Sequence, residues 1–481
     1  MIVGRKKEQQ LLAKAFASKE AEFIAIYGRR RVGKTYLIRE YFAKVTCRFF
    51  HATGLQRGST KTQLKKFADA LSQAFFDAAP LATPKNWGEA FALLHTQVAK
   101  SKEKIVIFLD ELPWLATKKS GLLQELDYYW NRHWSGMPQV VVIVCGSSAS
   151  WLIKKIIYNK GGLHNRTTCQ IRLLPFTLSE ADAYLKSRNI ALNQAHVLML
   201  YMALGGIPYY LRYVEPGQSA EQNIQRILFD KNGPLVDEYN RLFESLFEQA
   251  ETYKELVQLI SEKKQGIGRA ELSNRAKLSE SGGRLTERLR DLIAIGFIEE
   301  YIPWGQKKGE YYKLIDEFCL FYLHFIASHR GKKFARDYWM HQSTKPTYSA
   351  WSGYAFEAIC MKHVDQILIA LDIQASSTIG SWRFVPQAKV GENGTQIDLL
   401  IDRGDSVINV CEIKYTDKPF VIDKPYAEKL KERVILFQRK TKTDKQLFLT
   451  FISASGLKKT IYSEELVNSI VTLKDLFKPL S

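Results

Sequence analysis

At 481 residues the chain is too long for one hydrophobic core, and its length predicts about three domains. With 46% hydrophobic and 25% charged residues it carries enough apolar surface to fold, which excludes a disordered or low-complexity protein. Sixty-nine Lys and Arg against fifty Asp and Glu leave a formal charge of +19, a balance that makes polyanions the natural partners.

Residues 1–178 alternate apolar runs (Glu22–Tyr27, Cys47–His51, Ile105–Leu109, Val140–Cys145) with helical patterns (Thr60–Phe76, Trp87–Lys100, Leu122–Trp134). That alternation predicts an α/β fold with a parallel sheet covered by helices. A wholly helical stretch, 179–245, reads as a lid. Residues 246–316 predict three helices closed by a strand pair, a winged helix-turn-helix. An aromatic connector (317–344) leads to a third α/β unit, 345–481. The most apolar stretch, Leu314 to Ala327, is broken by Asp316, Glu317 and His324, so no membrane span is expected. The opening MIVGRKKEQQLL places charges where a signal peptide needs an apolar run. Six cysteines stand without a C-x-x-C pair and read as buried hydrophobes in a reducing, cytoplasmic compartment.

Gly28-Arg29-Arg30-Arg31-Val32-Gly33-Lys34-Thr35 fits GxxxxGK[ST] in full, after an apolar strand and at the start of a helix that continues through Tyr36. Such a loop turns backbone N–H groups inward around phosphate, and the helix N-terminus adds partial positive charge. Lys34 is placed to reach the β- and γ-phosphates of ATP, and the Thr35 hydroxyl to join Mg²⁺. The run Ile105–Leu109 ends in Asp110 and Glu111, where Asp110 is expected to hold the Mg²⁺ shell and Glu111 to polarise the attacking water. Ser147 and Ser148 end a third strand, and read either as γ-phosphate sensors or as a helix cap. Arg166, after Gly161-Gly162, is the candidate for an arginine finger acting in trans.

Farther along, Arg284, Arg288 and Arg290 lie on the predicted recognition helix (Ser281–Ile295), with Lys307 and Lys308 on the wing. Arginines there suit base edges and lysines suit phosphates. In the third unit a hairpin of Thr395–Asp402 and Val407–Tyr415 pairs Asp402 with Ile408. That register sets Asp398 opposite Glu412, with Lys414 on the same face. Opposed carboxylates about 5 Å apart among apolar neighbours repel unless a cation intervenes, so Mg²⁺ or Mn²⁺ is expected between them. Glu357, on a predicted helix Tyr354–Ile369, is a further ligand candidate.

These motifs, with Gly4-Arg5 and Glu8, Gly146-Ser-Ser148 and Gly205-Gly-Ile-Pro208, resemble the archaeal-type ATPases near the STAND and Orc/Cdc6 branches of AAA+-like P-loop NTPases. The resemblance implies that Gly206 and Pro208 lie against bound adenine. The set Glu357, Asp398, Glu412-x-Lys414 resembles the PD-(D/E)xK site of restriction-endonuclease-like domains, with Gln396-Ile397 where that motif's name expects proline. The expectation is an ATP-hydrolysing protein acting on DNA, with a Mg²⁺-dependent nuclease-like C-terminal domain. A nucleotide-controlled signalling switch or a transcription regulator without cleavage remains the alternative, and the sequence leaves a homo-oligomer open.

Overall fold

Buried aliphatic runs organise the first part of the chain. The computed structural model describes residues 1–158, 166–276, 282–306, 308–329, 334–384 and 394–480. Gly161-Gly162, Ser281 and Lys307 lie outside the described residues. Two units divide the chain, Met1–Pro175 with Arg290–Gly296, and Phe176–Leu289 with Phe297–Ser481.

In the first unit, β1 (Glu22–Tyr27), β2 (Arg48–Thr53), β3 (Ile105–Asp110), β4 (Val140–Cys145) and β5 (Cys169–Arg172) form one sheet in the order β2-β3-β4-β1-β5. Every pairing is parallel. Strands β3 and β4 are buried at all six positions, as expected of central strands covered on both faces. Helices Thr60–Phe75 and Trp87–Lys100 start where Ser59 and Asn86 accept backbone N–H groups from Thr62 and Glu89. Their apolar faces, with Leu122–Arg132, bury Phe67, Trp87, Phe91 and Trp130 over the sheet. Because β1 runs between β4 and β5, the turn leaving it opens at the sheet's carboxyl edge, where open α/β folds bind ligands. The short β5 went unpredicted: its sequence CQIR buries only Ile171 and carries no apolar run.

The second unit begins with helices Leu178–Ser187, Gln194–Leu204, Pro208–Leu211, Ala220–Ile224 and Glu238–Leu246. Helices Ala250–Ser261 and Arg269–Arg275 precede Gly282–Ile295, and a small antiparallel sheet follows in the order β6 (Ile267–Gly268), β8 (Tyr311–Leu314), β7 (Ile298–Tyr301). The remainder is a mixed sheet, β13-β12-β11-β10-β9. Strands β9 (Ser377–Phe384), β10 (Thr395–Arg403) and β11 (Val407–Lys414) pair antiparallel. Strands β12 (Gln446–Ser453) and β13 (Ser469–Thr472) extend the sheet in parallel, with helix Lys424–Thr441 crossing between β11 and β12. The helix expected over Tyr354–Ile369 starts earlier, as Pro346–Lys362, and breaks before Val364–Ala370.

That break is built around His363, which is 1% exposed. Its Nδ1 lies 2.8 Å from the Ile359 carbonyl, and Nε2 accepts the Leu178 N–H at 3.0 Å. Nδ1 therefore carries the proton. Burial pushes the imidazole down to about 4, against the opposing pull of the Ile359 carbonyl. An unfolded histidine takes its proton near 6.5, so the buried neutral ring stabilises the fold fully above that pH and progressively less as pH falls toward 4. By about pH 5 the loss should reach roughly 2 kcal/mol. Urea unfolding at about pH 7.5 and pH 5 should show this loss in the native chain and a clearly smaller one in His363→Gln. Equal pH dependence in both would reject the assignment.

Candidate functional site: a phosphate loop and two carboxylates

The loop after β1 has a backbone that restricts its residues. Gly28 has φ 145°, and a Cβ there would stand 2.2 Å from the Leu173 carbonyl oxygen. Gly33, at φ 95°, caps helix Lys34–Phe42. Arg31 also takes a left-handed φ of 73°. Val32 and Arg29 are buried, and the Arg30 guanidinium lies 5.8 Å from the Trp114 ring centroid. Lys34 folds back across the loop, its Nζ donating to the Gly28 and Arg29 carbonyls at 3.0 and 3.1 Å. Tyr36 is exposed, and its hydroxyl donates to the Met1 carbonyl at 3.1 Å.

The two acids at the end of β3 face this loop differently. Asp110, 2% exposed, accepts the Thr35 hydroxyl on Oδ2 at 2.9 Å and the Glu111 N–H on Oδ1 at 3.0 Å. Burial pushes its carboxyl up, but His51 and Thr35 outweigh burial and hold it below the ordinary carboxylate value. His51 Nε2 lies 3.6 Å from Asp110 Oδ2, with its ring stacked on Phe108. This histidine escaped sequence reasoning because only the pairing of β2 with β3 brings it alongside. Glu111 begins the helix Leu112–Leu115 in a left-handed conformation. Its Oε2 accepts both the backbone N–H and the hydroxyl of Ser147, each at 2.9 Å. Ser148 occupies the cap position of Ala149–Leu152 without a side-chain capping bond, so of the two predicted uses the cap is not made. Thr35 and Asp110 present adjacent oxygens of the type magnesium takes, so these residues fit that ion.

The family described as an ATPase domain predominantly from Archaea matches residues 2–214. Residues 2–214 are thus similar to an archaeal-type P-loop ATPase domain. Across a longer span, the chain is 26% identical over 424 residues to an uncharacterized protein of Methanocaldococcus jannaschii, covering 87% of this chain and 88% of that one. An uncharacterized ATP-binding protein of the same organism is 46% identical over 41 residues, 8% of this chain and 70% of its own. The solved Walker-type ATPase of Pyrococcus abyssi superposes with a TM-score of 0.49 at 18% identity, covering 67% of this chain and 96% of that one.

Other candidates lie apart from the loop. Arg166 is exposed three residues before β5, and among the described residues no hydrogen bond joins it to the phosphate loop. Pro208 opens helix Pro208–Leu211 in the second unit. The glycines before it have a local cause: a Cβ on Gly206 would stand 2.0 Å from the Phe176 carbonyl oxygen, and Gly205 has φ 66°.

In the C-terminal sheet, the pairs Asp402–Ile408 through Leu399–Cys411 give the expected register, which one further step carries to Asp398 and Glu412. A register shift against β9 between Ile397 and Leu400 brackets Asp398, the kind of irregularity that re-aims a side chain. Gln396 Nε2 donates to Asp398 Oδ1 at 2.5 Å. Glu357, on helix Pro346–Lys362, is pushed up to about 7 by burial and by Asp398, with Lys313 and Lys414 opposing. Burial likewise raises Asp398. Glu412 behaves oppositely. It is 5% exposed, but Arg433 and Lys414 overcome burial and hold it low. Lys414 Nζ sits 2.9 Å from its Oε1, the Tyr426 hydroxyl also donates to Oε1, and Arg433 donates to Oε2.

Two sequence expectations need correction. The charge of Glu412 is met by the chain's own cations, so the repulsion argument for an intervening metal loses its force. Among the described residues no three His, Cys, Asp or Glu side chains are grouped to hold a metal, and the acids as arranged do not fit one. Arg288, expected to face DNA, is buried on the same helix face as Leu285, Leu289 and Leu292, and donates to Gln249 at 2.5 Å. Arg284, Arg290 and Lys308 are exposed.

The geometry of the ATPase domain gives Glu111 a separable role. Glu111→Gln should retain nucleotide binding and lose ATP turnover by roughly 10²–10⁴-fold, the usual contribution of a positioned base. Fluorescent-nucleotide titration alongside phosphate release measures both. Undiminished turnover would remove Glu111 from the chemistry.

Proposed function

We propose that this protein hydrolyses ATP at the phosphate loop and acts on DNA through its second unit. The observation carrying the first half is the 2.9 Å bond from Thr35 to Asp110 beside a lysine bridging the loop. Residues Gly28 to Tyr36 cradle the phosphates, and Lys34 exchanges its two loop carbonyls for β- and γ-phosphate oxygens. Thr35 and Asp110 hold magnesium, which when bound neutralises charge on the phosphates. Glu111, oriented by Ser147, polarises the attacking water. Arg166 is assigned to stabilise the same charge from a neighbouring copy in a homo-oligomer, and Pro208 to contact adenine.

The DNA-directed half rests on the +19 charge and on the side chains of the second unit. Its three helices and small sheet are read as a winged helix-turn-helix, presenting Arg284 and Lys308. The mixed sheet is read as a PD-(D/E)xK-like domain, with Glu357, Asp398, Glu412 and Lys414 at the phosphodiester. The self-neutralised Glu412 favours a second reading, a nucleotide-controlled DNA-binding switch without cleavage.

Duplex DNA supplied with Mg²⁺, with and without ATP, separates these. Under the nuclease reading the native chain cleaves, Lys414→Ala does not, and Lys34→Ala reports whether ATP gates the cut. Binding without cleavage in any condition leaves the switch. Under either reading, affinity falls steeply with salt, and Arg284→Ala lowers the log–log slope by about one. Salt-independent binding would contradict both.

A further inference from the structure

Glu111 stands in an unfavourable backbone conformation that its surroundings must enforce. Its φ of 47° and ψ of 49° are left-handed, a region that residues with a Cβ rarely take. The turn it opens, Leu112–Leu115, is wedged between the exits of β2 and β4, the two strands that flank β3. On the β4 side, a Cβ on Gly146 would stand 2.6 Å from Pro113 Cδ. On the β2 side, a Cβ on Gly54 would stand 2.5 Å from the Glu111 carbonyl oxygen and 2.7 Å from the Leu115 nitrogen. The Gly54 N–H also donates to the Asp110 carbonyl at 2.9 Å.

Gln63 closes the β2 side. It lies in the first turn of helix Thr60–Phe75 and is wholly buried. Its Oε1 accepts the Leu55 N–H at 3.0 Å, and its Nε2 donates to the carbonyls of Leu55 at 2.8 Å and Trp114 at 3.0 Å. Both amide hydrogens are therefore used, one on the β2 exit and the other on the turn that carries Glu111. Gly58 leaves the amide no room to shift, because a Cβ there would stand 2.7 Å from Nε2. The hydroxyls of Thr60 and Thr117 meet at 2.9 Å and tie the same two segments a second time. Anchoring the helix to its own loop would need only the two Leu55 bonds. The third reaches Trp114, whose ring also lies beside the Arg30 guanidinium of the phosphate loop.

We infer that Gln63 is a positioning residue for ATP hydrolysis. By clamping the Leu55 loop to Trp114 it holds the turn, and with it the Glu111 carboxylate, where that group can polarise water. Gln63 itself touches no reacting atom. The inference rests on the assignment of Glu111 as the water-polarising base, and adds a residue that sets turnover rather than nucleotide affinity. A displaced base lowers rate steeply because the attack geometry is narrow.

The test is phosphate release under single-turnover conditions, beside fluorescent-nucleotide titration, in the full chain. Gln63→Met keeps the length of the side chain and removes both donors. It should lower turnover at least about tenfold and leave nucleotide affinity within about twofold. Gly58→Ala, which displaces the amide from outside, should act in the same direction and decides the matter if Gln63→Met does not bind nucleotide. In the Glu111→Gln background Gln63→Met should cost nothing further, since two residues acting through one group are not additive. Native turnover in Gln63→Met, an equal loss in the Glu111→Gln background, or a loss of affinity matching the loss of turnover would each overturn the positioning role. Glu111→Gln alone separates this from failure of the underlying reading: if it turns over ATP like the native chain, Glu111 is not the base and the clamp has no group to position.

Discussion

The hydrogen bond between Thr35 and Asp110 joins the helix that follows β1 to the carboxyl end of β3, at the point where chemistry is expected. Thr35 lies in the first turn of a helix that begins only because Gly33 adopts a conformation that L side chains rarely take. Asp110 ends a strand with no exposed position, so its carboxylate is delivered by a rigid support. A buried carboxylate without partners would protonate. Here the Thr35 hydroxyl and the adjacent His51 keep it charged, ready for a cation. The sheet order, the glycine constraints and the ionisation of Asp110 therefore serve one junction.

The second unit handles buried acids by a different balance. Glu412 is kept ionised by cations from its own strand and from the crossover helix. Glu357 and Asp398, with less compensation, are driven toward their neutral forms. One neighbourhood thus contains an acid whose proton affinity the neighbouring cations lower and two acids whose proton affinity burial raises. That asymmetry, more than the presence of three acids, distinguishes the site from an ordinary surface cluster.

Much of this was legible from residue pattern alone. The run Glu22–Tyr27 followed by the loop Gly28–Gly33 marked the phosphate site because an apolar strand, a loop bounded by glycines at fixed spacing and a helix start each leave a local trace. The hairpin register followed from one assumed pair, Asp402 with Ile408, because side chains alternate strictly along paired strands. Long-range partners left no such trace. His51 reaches Asp110 through strand order, and Arg433 reaches Glu412 from a helix that sequence reasoning had not placed. Arg288 was misjudged for a related reason: its charge suggested exposure, whereas its spacing from Leu285, Leu289 and Leu292 put it on the buried face. Periodicity was the better guide there.

The most direct test of the account is the magnesium dependence of ATP affinity in the native chain and in Asp110→Asn. If Thr35 and Asp110 together hold the ion, magnesium should strengthen ATP binding clearly in the native chain and far less in the variant, with magnesium-free binding little changed. Equal strengthening in both proteins would contradict the assignment of Asp110, and with it the junction on which this reading of the ATPase domain depends.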